Sequence, residues 1–375
     1  MTDAAAVPER ELVAGKSLWR DAWLRLKANK AAMTSLVVLA CMTLACFFGP
    51  LLSPHAYDTV YQAYVKVPPS LAARPDPAEL EGALETALRR GRVEIAAWSV
   101  EGDALQATLT AERAIDPRIT RLVERSDVFS NATVLTTHDE GRTLLLGATV
   151  ERARFLLGTD QNGRDLLSRI LVGGRVSLTI GLLATFVALA IGVTYGAIAG
   201  YLGGRADHVM MRIVDVLYSL PFMFFVIMLV VFFGRNFVLM FIAVGAIEWL
   251  DMARIVRGQT LSIKRQEYVE AAQAMGVSTP AIIRRHVVPN TLGPVVVFMT
   301  LMVPKVILLE SFLSFLGLGV QEPLTSWGVL ISEGAKNIQG ASWLLIWPSV
   351  FLAVTLFCLN FIGDGLRDAL DPRDR

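Results

Sequence analysis

Side chains that hold metals or move electrons are scarce in this chain of 375 residues: it has four histidines and three cysteines. His55, His138, His208 and His286 show no metal-ligand spacing and no Cys-x-x-Cys occurs, which argues against a zinc site or a dithiol redox centre. Cys41, Cys46 and Cys358 all lie in apolar runs and read as packed thiols with no disulfide role. Gly15-Lys16-Ser17 mimics the end of a phosphate-binding loop, but Arg10 stands where its first glycine belongs and no strand precedes it. Asn131-Ala132-Thr133 matches a glycosylation acceptor by a three-residue pattern that matters only in a eukaryotic secretory pathway. No nucleotide, metal or nucleophile site is visible, so the expectation is a chain that is not an enzyme and needs no cofactor.

Charge is also scarce, at 18% of residues, against 54% hydrophobic residues and a mean hydropathy of +0.50. That balance is too apolar for a soluble protein and points to an integral membrane protein in contact with lipid. A spanning helix needs roughly 20 apolar residues. About six runs qualify, near 33–52, 176–201, 210–233, 236–252, 293–318 and 343–363. The first is too long, and lacks the small-x-small site, for a cleaved signal peptide, so it reads as a retained span. Arg20, Arg25, Lys27 and Lys30 precede the first run, and Arg254, Arg257, Lys264, Arg265, Arg284 and Arg285 follow the fourth. Both regions are therefore expected in the cytoplasm. Six crossings then put Arg367, Arg373 and Arg375 inside as well, while the short outer loops carry only Arg235 and Lys336.

Residues 54–155 form a polar island between the first two runs, entered through Pro68, Pro69, Pro75 and Pro77. Leu80, Ala83, Leu84, Ala87 and Leu88 make a helical stripe, whereas Leu105, Ala107 and Leu109 alternate with Gln106, Thr108 and Thr110 as in a half-buried strand. Asp116-Pro117 opens a second helix and Asp139 to Arg142 turns between two further strand-like runs. A small α+β insertion outside the membrane is expected, either a docking surface for an external partner or a cover over the outer mouth. The division along the chain is then a cytoplasmic segment at 1–32, a first span at 33–53, the insertion at 54–155, a permease body at 156–366 with a coupling loop at 254–291, and a cytoplasmic tail at 367–375.

The most telling stretch runs from Glu270 to Asn290 and reads as a water-soluble helix pair between two apolar runs. Tyr268, Ala271, Ala272 and Met275 recur at helical spacing, making a face of mostly small residues, with Glu267, Glu270 and Gln273 off it. Gly276 suits the position past a helix end, and Thr279-Pro280 reads as an N-cap followed by proline at the first helical position. Within the runs, Gly192, Gly196 and Gly200 let another helix approach closely, inside the same subunit or across an interface. Glu310 and Lys305 are the most deeply placed ionisable residues; Glu310 either lines a substrate path or makes a structural hydrogen bond. Pro221, Pro304 and Pro348 mark possible kinks.

These residues carry a resemblance. Tyr268-Val269-Glu270-Ala271-Ala272, with Gly276 and then Pro289 thirteen residues further on, resembles the coupling-loop motif of binding-protein-dependent ABC importer permeases. Leu157 to Asp165, Leu313 to Gly319 and the ending Gly363 to Arg373 resemble the C-type permease subunit of oligopeptide and dipeptide importers. The resemblance implies an all-α polytopic membrane protein with six transmembrane helices of the type I importer kind. It implies four partners: a second homologous permease, two cytoplasmic ABC ATPases, and an extracytoplasmic substrate-binding protein. It places the chain in a bacterial inner membrane, and gives Tyr268, Glu270, Ala271, Ala272, Gly276 and Pro289 to force transmission with no chemistry of their own. Peptide is the expected cargo, with nickel chelates or oligosaccharides as alternatives. An ion-coupled secondary transporter is the rival class, for which several midplane acids and paired broken spans would be expected.

Overall fold

The computed structural model describes residues 18–234 and 237–370. Gly15-Lys16-Ser17, Arg235, Arg373 and Arg375 lie outside these. Helix α1 (Leu18–Ala28) leads to Asn29, whose side chain caps α2 (Lys30–Leu52) by accepting a hydrogen bond from the Ala32 amide at 3.1 Å.

Between α2 and the next long helix the chain makes a separate core. Helix α3 (Leu80–Leu88), strands β1 (Glu94–Glu101) and β2 (Ala104–Thr110), helix α4 (Thr120–Glu124), and strands β3 (Phe129–His138) and β4 (Thr143–Val150) follow in order. The four strands form one antiparallel sheet in the order β1-β2-β4-β3. Its register sets Leu105, Ala107 and Leu109 opposite Ala148, Leu146 and Leu144, all buried. The period of two thus puts one face of β2 and β4 under Leu84 and Leu88 of α3 and Val123 of α4.

The body is a bundle of helices: α5 (Leu166–Leu202), α6 (Gly204–Ser219), α7 (Phe222–Phe233), α8 (Phe237–Ile263), α9 (Glu267–Ala274), α10 (Thr279–Ile282), α11 (Val288–Phe315), α12 (Trp327–Lys336) and α13 (Trp343–Leu370). Among the described residues, four helical stretches are long and apolar enough to cross a membrane: α2, α5, Thr279–Phe315 and α13. The run expected as one span at 210–233 is instead broken, and its two helices meet at 78°. The cause is Pro221, which has no amide to donate and pushes Leu220 into an extended conformation (φ −73°, ψ 130°). Pro304 and Pro348, by contrast, lie inside unbroken helices.

Helices α5 and α8 pack through the glycine ladder, and the close approach is inside the subunit. A Cβ on Gly192 would stand 2.6 Å from Met252 Cβ, one on Gly196 2.4 Å from the Ala253 carbonyl oxygen, and one on Gly200 2.8 Å from Thr260 Cβ. Nothing larger than hydrogen fits, so α5 fixes where α8 lies.

A buried charge network ties the start of α5 to α12. Asp160 accepts from the amides of Asn162 and Arg164, each at 2.8 Å, and from Arg164 Nε at 2.7 Å. Arg169, on the first turns of α5, pairs with Asp160 and, at 2.8 Å, with Glu333 of α12. The stretch from Leu157 to Asp165 is therefore a clasp, and Asp165 ends it by capping α5 at the Ser168 amide (2.8 Å).

Candidate functional site

Helix α9 sits between the long helices α8 and α11 and exposes most of its surface. It ends in a Schellman turn: the Gly276 amide donates to the Gln273 carbonyl (2.9 Å) and the Val277 amide to the Ala272 carbonyl (3.1 Å). Gly276 takes φ +77°, a left-handed conformation that a side chain would strain. The residue flanking α10 is Ser278, extended at φ −65° and ψ 144°, and not Thr279, which is already helical, with Pro280 in the first turn. Its side chain makes no capping bond; proline, with no amide to satisfy, lessens the need for one.

The face read from the sequence divides in two. Tyr268, Ala271 and Met275 are exposed, Met275 at 76%, while Ala272 is buried at 2% beside Val269, Val277 and Ile282. Val269 is the larger apolar residue on the inward side, and the small Ala272 next to it lets α9 lie close to its own subunit. Glu270 is exposed and accompanies the free face. The helix is anchored behind by Gln273, whose side-chain amide donates to Tyr201 Oη at 2.9 Å, while Lys264 donates to the Tyr201 carbonyl at 2.6 Å. Pro289 is exposed just after a π-helical turn at Ile283–Val287. A proline ring displaces the carbonyl four residues back, so a register shift just before it is the expected accommodation. A short helix held rigidly at both ends, with tyrosine, alanine, methionine and glutamate facing outward, can bear on a partner; it holds no group positioned for acid, base or nucleophilic work.

Deeper in the body, Glu310 is completely enclosed. Ser177 of α5 donates to Oε2 at 2.9 Å and Ser314 donates to Oε1 at 2.8 Å. Ser326 in turn donates to Ser314 at 3.2 Å, and the Trp327 amide donates to Ser177 at 3.3 Å. Glu310 is thus a hydrogen-bonded knot between α5, α11 and the start of α12. Lys305, on a different face of α11, meets Glu248 Oε2 and Asp251 Oδ2 of α8, both at 2.9 Å. The sequence reading missed those two acids, although their spacing of three in a run otherwise apolar was a signal that they share a helix face.

A bundle of apolar helices, an internal charge clasp and an exposed short helix between two long ones are the build of a polytopic membrane protein, and its relatives place it in the permease class. Two family models match: binding-protein-dependent transport system inner membrane component over residues 192–375, and N-terminal TM domain of oligopeptide transport permease C over residues 17–69. The oligopeptide transport system permease protein OppC of Escherichia coli (strain K12) is 45% identical over 367 residues, which is 98% of this chain and 95% of that one. The dipeptide transport system permease protein DppC of Bacillus subtilis (strain 168) is 36% identical over 96% of this chain and 87% of its own. A solved structure titled as inward facing conformations of the MetNI methionine ABC transporter aligns at 20% identity with a TM-score of 0.45, over 54% of this chain and 96% of that one. The chain belongs to the C-type permease subunits of oligopeptide and dipeptide ABC importers.

Proposed function

We propose that this chain forms half of a peptide translocation path across a bacterial inner membrane, pairs with a second, similar permease, and is driven by two cytoplasmic ATPases through α9. A binding protein outside the membrane delivers the peptide. In this reading α2, α5, the bent pair α6–α7, α8, the helix from Thr279 to Phe315, and α13 are six crossings with both ends of the chain in the cytoplasm. Residues 54–155, with their sheet and helices, are then a small α+β insertion on the outer side, where the binding protein docks.

The observation that carries the reading is the build of α9: an exposed lever braced by Tyr201 and ended by Gly276, joined by a short turn to α8 and through α10 to α11. Tyr268, Glu270 and Ala271 make the contact, Ala272 seats the helix, Gly276 sets the turn, and Pro289 passes the movement into α11. Closure of the ATPases pushes α9 and rocks the long helices. The test is purification of the chain from its native membrane in mild detergent, with mass spectrometry of what accompanies it. Recovery of a second permease and two ATPases supports the reading; recovery of the chain alone or as a homo-oligomer removes it.

A further inference from the structure

Beside the bend at Pro221, α6, α8 and α11 enclose a cleft of about 570 Å³. Its apolar walls include Leu217, Leu308 and Phe312, and its polar patch is Glu248, Asp251 and Lys305. A cavity of this size with apolar walls and few polar groups has the make-up of a small-ligand site.

The face it opens on cannot be in contact with lipid tails. Lys305 lies in the middle of α11 and its side chain is 54% exposed. A charge at the centre of a spanning helix costs at least about 2.5 kcal/mol against hydrocarbon, so such groups face a water-filled space or another protein surface. Two acidic side chains meet one ammonium here, so the patch holds more acceptor oxygens than Lys305 alone can serve. Glu248 is 97% enclosed by its own chain, and its Oε2 is held 2.9 Å from Lys305 Nζ.

We propose that this cleft receives the α-ammonium group of the translocating peptide, with Glu248 and Asp251 as acceptors. The proposal rests on the peptide reading above. It gives the subunit a way to handle peptides of any sequence, since the α-ammonium is present whatever the side chains are. The leucine and phenylalanine walls then take the first side chains without selecting among them, and Lys305 keeps the empty site from carrying two bare carboxylates.

The experiment uses the assembled importer in detergent. Leu308→Cys is introduced into a chain whose Cys41, Cys46 and Cys358 are replaced by alanine, and its reaction with a charged, membrane-impermeant methanethiosulfonate is timed. Ala-Ala-Ala is expected to slow labelling about fivefold when present at about four times its dissociation constant. N-acetyl-Ala-Ala-Ala at the same concentration leaves the rate unchanged, and Asp251→Asn in the same background removes the protection. Absence of labelling at Leu308→Cys, no slowing by Ala-Ala-Ala, or equal slowing by both peptides overturns the proposal. ATP-driven uptake of Ala-Ala-Ala by the same importer in proteoliposomes, with its binding protein, separates the two levels. Uptake without protection defeats this assignment alone, and absence of uptake defeats the peptide reading itself.

Discussion

Lys305 and Glu310 are five residues apart on α11 and live in opposite surroundings. Glu310 is closed in by serine hydroxyls from two helices. Lys305 stands at an open wall, facing two acids of a neighbouring helix. The contrast teaches that depth in an apolar run does not by itself make an ionisable residue part of a path. What decides is whether its hydrogen-bonding capacity is used up inside the subunit.

The contrast can be broken most severely by moving α8. Replacing Gly196 with leucine puts a branched side chain where even a Cβ would lie 2.4 Å from the Ala253 carbonyl oxygen. Overpacking of this kind costs about 1–3 kcal/mol or more; here backbone must yield, and the expected result is little folded protein in detergent, read by size-exclusion yield. Glu310→Ala comes next. It leaves the Ser177 and Ser314 hydroxyls without their acceptor, at about 1–3 kcal/mol. A lower thermal midpoint is expected, with uptake per folded molecule retained; loss of uptake at normal stability would return Glu310 to the path. Asp251→Asn should do the reverse, because the Lys305–Glu248 contact survives and a partly exposed ion pair is worth about 0–1 kcal/mol. Stability should hold within that range while peptide protection at Leu308→Cys is lost.

The smallest effect concerns a residue between α2 and α3 that, unlike Glu310, is buried unsatisfied. Tyr64 is enclosed, and its Oη finds no hydrogen-bond partner among the described residues. Burial, helped by the nearby negative charges of Glu79 and Asp127, pushes its phenol up from 10.0 to about 12. The raised value has a definite sign: between pH 10 and 12 the unfolded chain loses this proton and the folded chain keeps it. Stability from this group is whole below pH 10 and falls as pH rises toward 12. Tyr64→Phe should leave the neutral-pH midpoint nearly unchanged and flatten the alkaline loss, followed by circular dichroism of the full chain against pH. An unchanged alkaline limb would mean that other groups govern it.

Much of this was legible in the residues, for local reasons. Leu105, Ala107 and Leu109 repeat at the strand period and form the inward face of β2, and Gly276 ends α9 because the backbone turns left-handed there. The spacing of five between Lys305 and Glu310 already separated their faces. Long-range partners were not legible. Arg169 lies outside the expected span at 176–201; Asp160 just before it and Glu333, far along the chain, make it a core residue. Ala272 shared a helical arc with Tyr268 and Met275, and only the packing of Val269 and Ile282 turned it inward. Pro221 signalled a kink, but the full break depends on Leu220 finding an extended conformation between two packed helices.

The burial of Ala272 also selects the cleanest test of the central claim that α9 is the lever on which partner ATPases act. A bulky residue at position 272 would disturb the fold, whereas Ala271 faces outward and can be enlarged without touching the core. The decisive measurement is co-purification of the ATPases with Ala271→Trp, alongside the thermal midpoint of the chain. The account predicts that the ATPases are lost while the midpoint and the second permease are kept. Full retention of both ATPases with undiminished uptake would contradict it.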